Sequence, residues 1–139
     1  MSAQDEVERF SGQGPGGEDF ADIAQRAFDL ARTGDSDRLE AYLSAGLPVD
    51  LATGSGDSLL MLAAYHGHAA TVAALAARGA DVNALNDRGQ SPLAGAVFKG
   101  SAAVVEQLLK LGADPDAGQP SARQTAAMFD RVGLHPDLG

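Results

Sequence analysis

Residues 79–112 read GADVNALNDRGQSPLAGAVFKGSAAVVEQLLKLG, and this stretch decides the fold. A glycine stands at each end, and Gly100 separates two short apolar runs that have helical spacing. The segment before the first run is polar and contains Asp87-Arg88-Gly89, a composition typical of a tight turn. The stretch therefore predicts a turn-rich loop followed by two antiparallel helices that are joined at Gly100.

The same pattern recurs along the chain every 33 residues. One glycine column consists of Gly46, Gly79 and Gly112, and the other of Gly34, Gly67, Gly100 and Gly133. Three apolar columns share the register: Leu39, Val72 and Val105; Tyr42, Leu75 and Leu108; Leu43, Ala76 and Leu109. Several independent columns at one period predict a solenoid in which each unit is a loop, a helix, a turn and a helix.

Local signals support helices at the expected places. In Ser91-Pro92-Leu93 the serine hydroxyl can cap a helix, and proline suits the first turn, where its missing N–H is not needed. We predict helices over residues 58–66, 69–78, 91–99 and 102–111. The residues that we expect in the core are Leu60, Ala63, Val72, Leu75, Leu93, Ala96, Val105 and Leu108.

The segments Gly89-Gln90-Ser91-Pro92-Leu93, followed by Gly100, and Gly79-Ala80-Asp81-Val82-Asn83-Ala84 resemble the ankyrin repeat, and the resemblance covers residues 25–133. It implies an all-α solenoid of helix-turn-helix units with β-turn fingers. It also implies a partner that is another protein, with no catalytic activity and no cofactor. Met61 and Ala94 stand where the family usually has histidine, so we expect the hydrogen bond of that histidine to be absent.

The domain organisation follows from the repeat and its ends. We expect a flexible acidic tail at residues 1–17 and an ankyrin-repeat domain at 18–139. The domain divides into full repeats at 18–50, 51–83 and 84–116 and a C-terminal half-repeat cap at 117–139. In the cap we predict a first helix over 124–131 and a turn at Gly133. The last six residues, with Pro136 among them, are too few for a second helix.

Charge and composition exclude several classes of function. The net charge of −9 and a pI near 4.5 make nucleic acids and anionic membranes unfavourable partners. The longest apolar run, residues 59–65, is too short to cross a bilayer, and the first six residues are acidic where a secretory signal needs basic ones. The chain has no cysteine, and its arginines outnumber its lysines. We expect a monomeric bacterial protein in the cytoplasm, with no nucleic acid and no membrane as partner.

Two neighbouring histidines suggest an alternative function, the binding of a metal ion or small molecule. His66 and His68 could chelate a metal ion, and His135 is the remaining histidine of the chain, so a tetrahedral site would lack ligands. The interpretation that we prefer is structural, with His68 helping to start the second helix of its repeat. We predict no metal site and no catalytic site, and a small-molecule or metal-binding regulatory protein is the alternative.

The resemblance implies that a partner binds to the finger tips and the inner face of the first helices. Mapped onto this chain, the surface consists of Arg32, Ser55, Asp57, Tyr65, His66, Asp87, Arg88, Gln90, Phe98 and Lys99, and Thr33, Arg123 and Arg131 extend it. Tyr65 and Phe98 stand one period apart, so we expect their rings to line one ridge. Six of the residues have no evident structural role in the sequence: Tyr65, His66, Arg88, Gln90, Phe98 and Lys99.

Overall fold

The computed structural model describes residues 20–139, and within them the regular structure is helical. The α-helices are α1 (Phe20–Thr33), α2 (Ser36–Ser44), α3 (Leu59–Tyr65), α4 (Ala69–Ala77), α5 (Pro92–Lys99), α6 (Ala102–Lys110) and α7 (Ala122–Met128). Two 3-10 helices follow, Val132–Leu134 and Pro136–Leu138. The tail predicted at residues 1–17 lies outside the described residues.

The helices form two layers. Helices α1, α3, α5 and α7 pack side by side in an inner layer, and α2, α4 and α6 pack side by side in an outer layer. Each outer helix also packs on the inner helix that precedes it in the chain. The structure thus confirms the all-α solenoid of helix-turn-helix units. In the part of the chain that the structure describes, no helix is both long and apolar enough to span a membrane.

Three of the inner helices begin at a serine cap. The Oγ atoms of Ser58 and Ser91 each accept a hydrogen bond of 3.0 Å from the backbone N–H three residues later. Ser121 forms the same bond with Gln124, whose side chain in turn accepts from the N–H of Ser121. Pro92 occupies the first turn of α5 as predicted. The serines satisfy amide groups that a helix start would otherwise leave without a partner.

The glycine columns mark the turns as predicted, with one exception at the C-terminal end. Gly34, between α1 and α2, has a φ of +77°, a left-handed conformation that a side chain disfavours. A Cβ atom built there would also lie 2.5 Å from Nδ1 of His68. The glycine at this turn therefore allows the next repeat to pack against it.

The prediction for the last helix is wrong at both ends. Helix α7 ends at Met128, earlier than the predicted 124–131, and Gly133 lies within a 3-10 helix. The left-handed position falls instead at Asp130, with a φ of 55°, and the N–H of Arg131 donates a 2.7 Å bond to the carbonyl of Ala126. Aspartate is one of the residues that tolerate this conformation. The turn consequently comes three residues before Gly133.

The core is continuous along the array. All eight predicted core residues are buried, each with 1% or less of its surface exposed. The third apolar column is weaker than predicted, because Ala76 and Leu109 are only partly buried. As predicted, residues 134–139 form no α-helix, but Leu138 is buried and belongs to the core.

Backbone hydrogen bonds join neighbouring fingers, which are the turn segments that precede α3, α5 and α7. The N–H of Asp87 donates to the carbonyl of Ser55 at 3.0 Å, and the N–H of Gln119 donates to the carbonyl of Gly89 at 2.9 Å. At the finger bases, Asp50 accepts from the N–H of Asp81 through its side chain, and Asn83 accepts in the same way from Asp114. These bonds keep the fingers in a fixed row beside the inner helices.

Candidate partner-binding groove

A groove of about 570 Å³ runs between the finger bases and the inner helices. Seven of the predicted surface residues line it: Arg32, Asp57, Tyr65, His66, Arg88, Gln90 and Phe98. Lys99 lies next to them over the ring of Tyr65. Ser55 and Asp87 do not line the groove, and their backbone groups bind each other between two fingers. The structure thus brings most of the predicted residues to one surface.

Asn86, which sequence reasoning missed, organises the finger side of the groove. It is buried, and its Nδ2 donates to Asp57 at 2.9 Å and to Oε1 of Gln90 at 3.0 Å. Its Oδ1 accepts from the backbone N–H groups of Arg88 and Gln90, both at 3.0 Å. The prediction that Gln90 has no structural role is therefore wrong. This network fixes the finger that carries Arg88, so that wall of the groove is preformed.

Tyr65 is held in place from two sides at the end of α3. The ammonium nitrogen of Lys99 lies 5.0 Å from the centroid of the Tyr65 ring, a cation–π contact between two repeats. The ring of His66 meets Tyr65 edge to face, with centroids 5.6 Å apart. Lys99 therefore also has a structural contact, contrary to prediction. Tyr65 nevertheless remains 38% exposed as a residue and lines the groove.

Phe98 pairs with Phe129, a groove residue that the sequence analysis did not identify. Their rings meet edge to face with centroids 5.1 Å apart, and both side chains remain about half exposed. Phe129 could have been found as the aromatic residue of the fourth inner helix, but it stands two residues before the strict repeat position. The early end of α7 brings it into the groove. The ridge thus contains Tyr65, Phe98 and Phe129.

The cationic side chains around the groove differ in whether they pair with other side chains. Arg32 pairs with Asp29 at 2.9 Å along the exposed side of α1. Within residues 20–139, the guanidinium of Arg88 forms no hydrogen bond or ion pair with another side chain. Of the residues predicted to extend the surface, Arg123 is bound to Asp116, which raises the pKa of its guanidinium. Arg131 packs against Gly100, and its buried Nε has no hydrogen-bond partner among the described residues.

The histidines are not arranged as a metal site. Nε2 of His68 lies 2.7 Å from the carbonyl oxygen of Arg32, so this ring links two repeats. As predicted, His68 stands at the start of α4, where its carbonyl accepts from the N–H of Val72, but its side chain makes no cap hydrogen bond to that helix. Within residues 20–139, no three metal-ligating side chains come together.

His66 stays in the groove beside several positive charges. Partial desolvation of the imidazole is the largest cause that lowers the pKa of His66, and the charges of Arg32, His68 and Lys99 lower it further. The ring is therefore neutral at physiological pH. A negative charge brought into the groove would act in the opposite direction and raise the pKa.

Comparisons with known proteins agree with this architecture. The family model for ankyrin repeats matches residues 28–119 in three copies. An ankyrin-repeat protein of Pseudomonas aeruginosa is 59% identical over 51 residues, a segment that covers 37% of this chain and 30% of the relative. The chain thus matches less than a third of that relative's length.

Proposed function

Since this chain belongs to the ankyrin-repeat family, we propose that it is a non-catalytic module that binds another protein in the groove described above. Ankyrin repeats are in general protein–protein interaction modules and non-enzymatic. The proposal assigns the function to one surface of this chain, the side of the inner helices and fingers. The residues that we assign to it are Arg32, Ser55, Asp57, Tyr65, His66, Asp87, Arg88, Gln90, Phe98 and Lys99.

The observation that carries the proposal is the exposed aromatic ridge of the groove. Tyr65, Phe98 and Phe129 keep large parts of their rings exposed although the apolar columns of the repeats are buried. Aromatic side chains and arginine are the residues that most often dominate the binding energy of protein interfaces. Arg88 lies on the facing wall. The groove therefore has the composition of an interface centre.

The rigidity of both walls also supports binding. The Asn86 network holds the finger side, and ring contacts hold Tyr65 and Phe98 on the helix side. A preformed site loses less conformational entropy when a partner binds, and more of the contact energy then appears as affinity. We propose that the partner docks without rearrangement of the inner helices.

We further propose that the protein acts as a monomer in a bacterial cytoplasm. The lack of cysteine suits a reducing compartment, and the arginine-rich composition is typical of a GC-rich bacterial gene. Light scattering tests the oligomeric state: a monomer has a mass of 14.1 kDa, and twice that mass would contradict this part of the proposal.

The experiment compares three forms of the protein as bait in an extract of the native cells. These are the parent, the double variant Tyr65→Ala/Phe98→Ala, and the control Phe20→Ala. Phe20 is 42% exposed, close to the 45% of Phe98, but it does not line the groove. The partner recovered with the parent is then purified, and its affinity for each form is measured by calorimetry.

We expect the double variant to bind more weakly than the parent by well over about 2 kcal/mol, because each exposed aromatic residue at an interface centre can act as a hot spot worth about 2 kcal/mol or more. The control should bind like the parent, and thermal melts should show all forms folded. A double variant that binds as tightly as the parent would exclude the groove as the binding surface.

A further inference from the structure

The charge of the groove is opposite to that of the chain. The sequence carries a net charge of −9, yet Arg32 and Arg88 line the groove and Lys99 lies beside it. Among the described residues that line the groove, one carries a carboxylate, Asp57, and it already accepts a hydrogen bond from Asn86. The groove is therefore a positive region on an otherwise acidic protein, and it attracts acidic segments of a partner.

These cations are available to a ligand. Within residues 20–139, neither Arg88 nor Lys99 has a carboxylate partner. Among the described residues, Arg32 is paired only with Asp29 in an exposed contact, and such pairs contribute little to stability. Arg88 stands on the finger side, whereas Arg32 and Lys99 stand at the ends of inner helices. An extended segment along the groove would thus meet positive charge on both sides.

Gly95 leaves a recess in the wall that α5 contributes to the groove. It lies inside a helix, where glycine is less favourable than alanine by up to about 1 kcal/mol. A Cβ atom at this position would lie 3.5 Å from Cδ1 of Tyr65, an ordinary van der Waals contact. The fold therefore accepts alanine here. The missing side chain leaves space beside Tyr65, one helical turn before Phe98.

From the charge and the recess together, we infer that the partner presents an extended acidic segment whose large apolar side chain sits over Gly95. The apolar side chain contacts the rings of Tyr65 and Phe98, and carboxylates on either side of it meet Arg88, Arg32 and Lys99. This inference rests on the proposed function, and it adds the chemistry of the segment that the groove binds.

A random-peptide library displayed on phage, selected against the whole chain, tests the inference. We expect the selected peptides to carry a net negative charge around an aromatic or long aliphatic residue. The strongest peptide is then synthesised and titrated into the parent and the variants by fluorescence anisotropy. Exchange of its acidic residues for their amides should weaken binding, and so should exchange of its apolar residue for alanine.

Two matched variants separate charge and shape. Arg88→Glu should lower the affinity for the peptide by about tenfold or more, since an attractive charge becomes repulsive. It should also reduce the salt dependence of binding. Lys110→Glu makes the same charge change in the last turn of α6, on the outer layer, and should leave binding within twofold. Gly95→Ala should weaken binding by about tenfold while raising the melting temperature, which a merely structural role of Gly95 would not produce.

The outcomes distinguish this inference from the proposed function. Selected peptides that lose affinity for Tyr65→Ala/Phe98→Ala, but carry no excess of acidic residues, would overturn the inference and leave groove binding intact. A selection that enriches no sequence would also overturn the inference, because an extended segment should bind as an isolated peptide. Peptides that bind the double variant as well as the parent would contradict groove binding itself. A Gly95→Ala protein that binds the peptide like the parent would contradict the placement of the partner's apolar side chain over Gly95.

Discussion

Nε2 of His68 lies 2.7 Å from the carbonyl oxygen of Arg32, and the same imidazole packs against Gly34. The residue before α4 thus contacts the end of α1 in the preceding repeat. His66, two residues earlier, faces the groove and makes no such bond. Two histidines of one turn therefore lie in different surroundings: His68 links two repeats, and His66 lines the groove that we propose as the binding surface.

Replacement of His68 tests this division. His68→Ala removes the hydrogen bond and the packing on Gly34, so we expect the free energy of unfolding to fall by about 1–2 kcal/mol. The matched substitution His66→Ala should change it by less than about 0.5 kcal/mol. Urea unfolding followed by circular dichroism measures both. Equal effects of the two substitutions would contradict the assignment.

The Asn86 network should be essential for the finger side of the groove. Asn86→Ala leaves the N–H groups of Arg88 and Gln90 without their acceptor and releases Asp57. We expect a loss of about 2 kcal/mol or more in the free energy of unfolding, because buried polar groups without partners are unfavourable. Asn83 accepts a single bond from the N–H of Asp114 at an exposed place, so Asn83→Ala is the control and should have a smaller effect. Similar melting temperatures for the parent and Asn86→Ala would show that the network contributes little.

We expect the packing of the 3-10 helix Pro136–Leu138 on α7 to depend on Leu138. Leu138 is 2% exposed, and Leu138→Ala would leave a cavity that we expect to lower the free energy of unfolding by about 2–4 kcal/mol. Val132→Ala, in the neighbouring 3-10 helix, removes a side chain that is 44% exposed and should have little effect. The midpoints of urea unfolding of the parent and the two variants are compared. An unchanged midpoint for Leu138→Ala would mean that the end of the chain does not pack on α7.

The titration of His66 reports on the charge of the groove. The pKa of this imidazole is lowered in the folded protein, so the unfolded chain, with a pKa near 6.5, takes up the proton at higher pH. The stability that this group contributes is therefore present above about pH 6.5 and is lost as the pH falls through the folded pKa.

NMR titration checks the direction of the shift. The His66 signal, assigned with His66→Gln, should titrate at lower pH in the folded protein than in the same chain unfolded by urea. An acidic peptide bound in the groove should then raise the pKa. A folded value equal to or above the unfolded one would contradict the partial desolvation and the neighbouring positive charges that lower the pKa of His66.

Much of the fold could be predicted from the sequence because the same residue preferences for turns, helix starts and buried positions recur in each repeat. Left-handed turns need glycine, helix starts favour serine, and the buried positions recur with the period, as Leu75 and Leu108 show. The turn after α7 could not be predicted in this way. Asp130 takes the left-handed turn position that the period assigned to Gly133, so this turn departs from the periodic glycine signal.

The candidate site was predictable in its position but not in its internal contacts. The period places Tyr65 and Phe98 on one side of the array, and both line the groove. The contacts of Asn86 with Asp57 join residues from two fingers, and the pairing of Phe98 with Phe129 depends on where α7 ends. Such contacts between units follow from three-dimensional packing rather than from the spacing within one unit.

The most direct test of the account is an NMR map of the complex with the partner, or with the selected acidic peptide. The account predicts that amide shifts change along the groove, in the finger of Arg88 and at the ends of α3 and α5 near Tyr65 and Phe98. The outer helices α2, α4 and α6 should change little. A map centred on the outer helices, with the groove unaffected, would contradict the central claim that this ankyrin-repeat protein binds its partner in the groove.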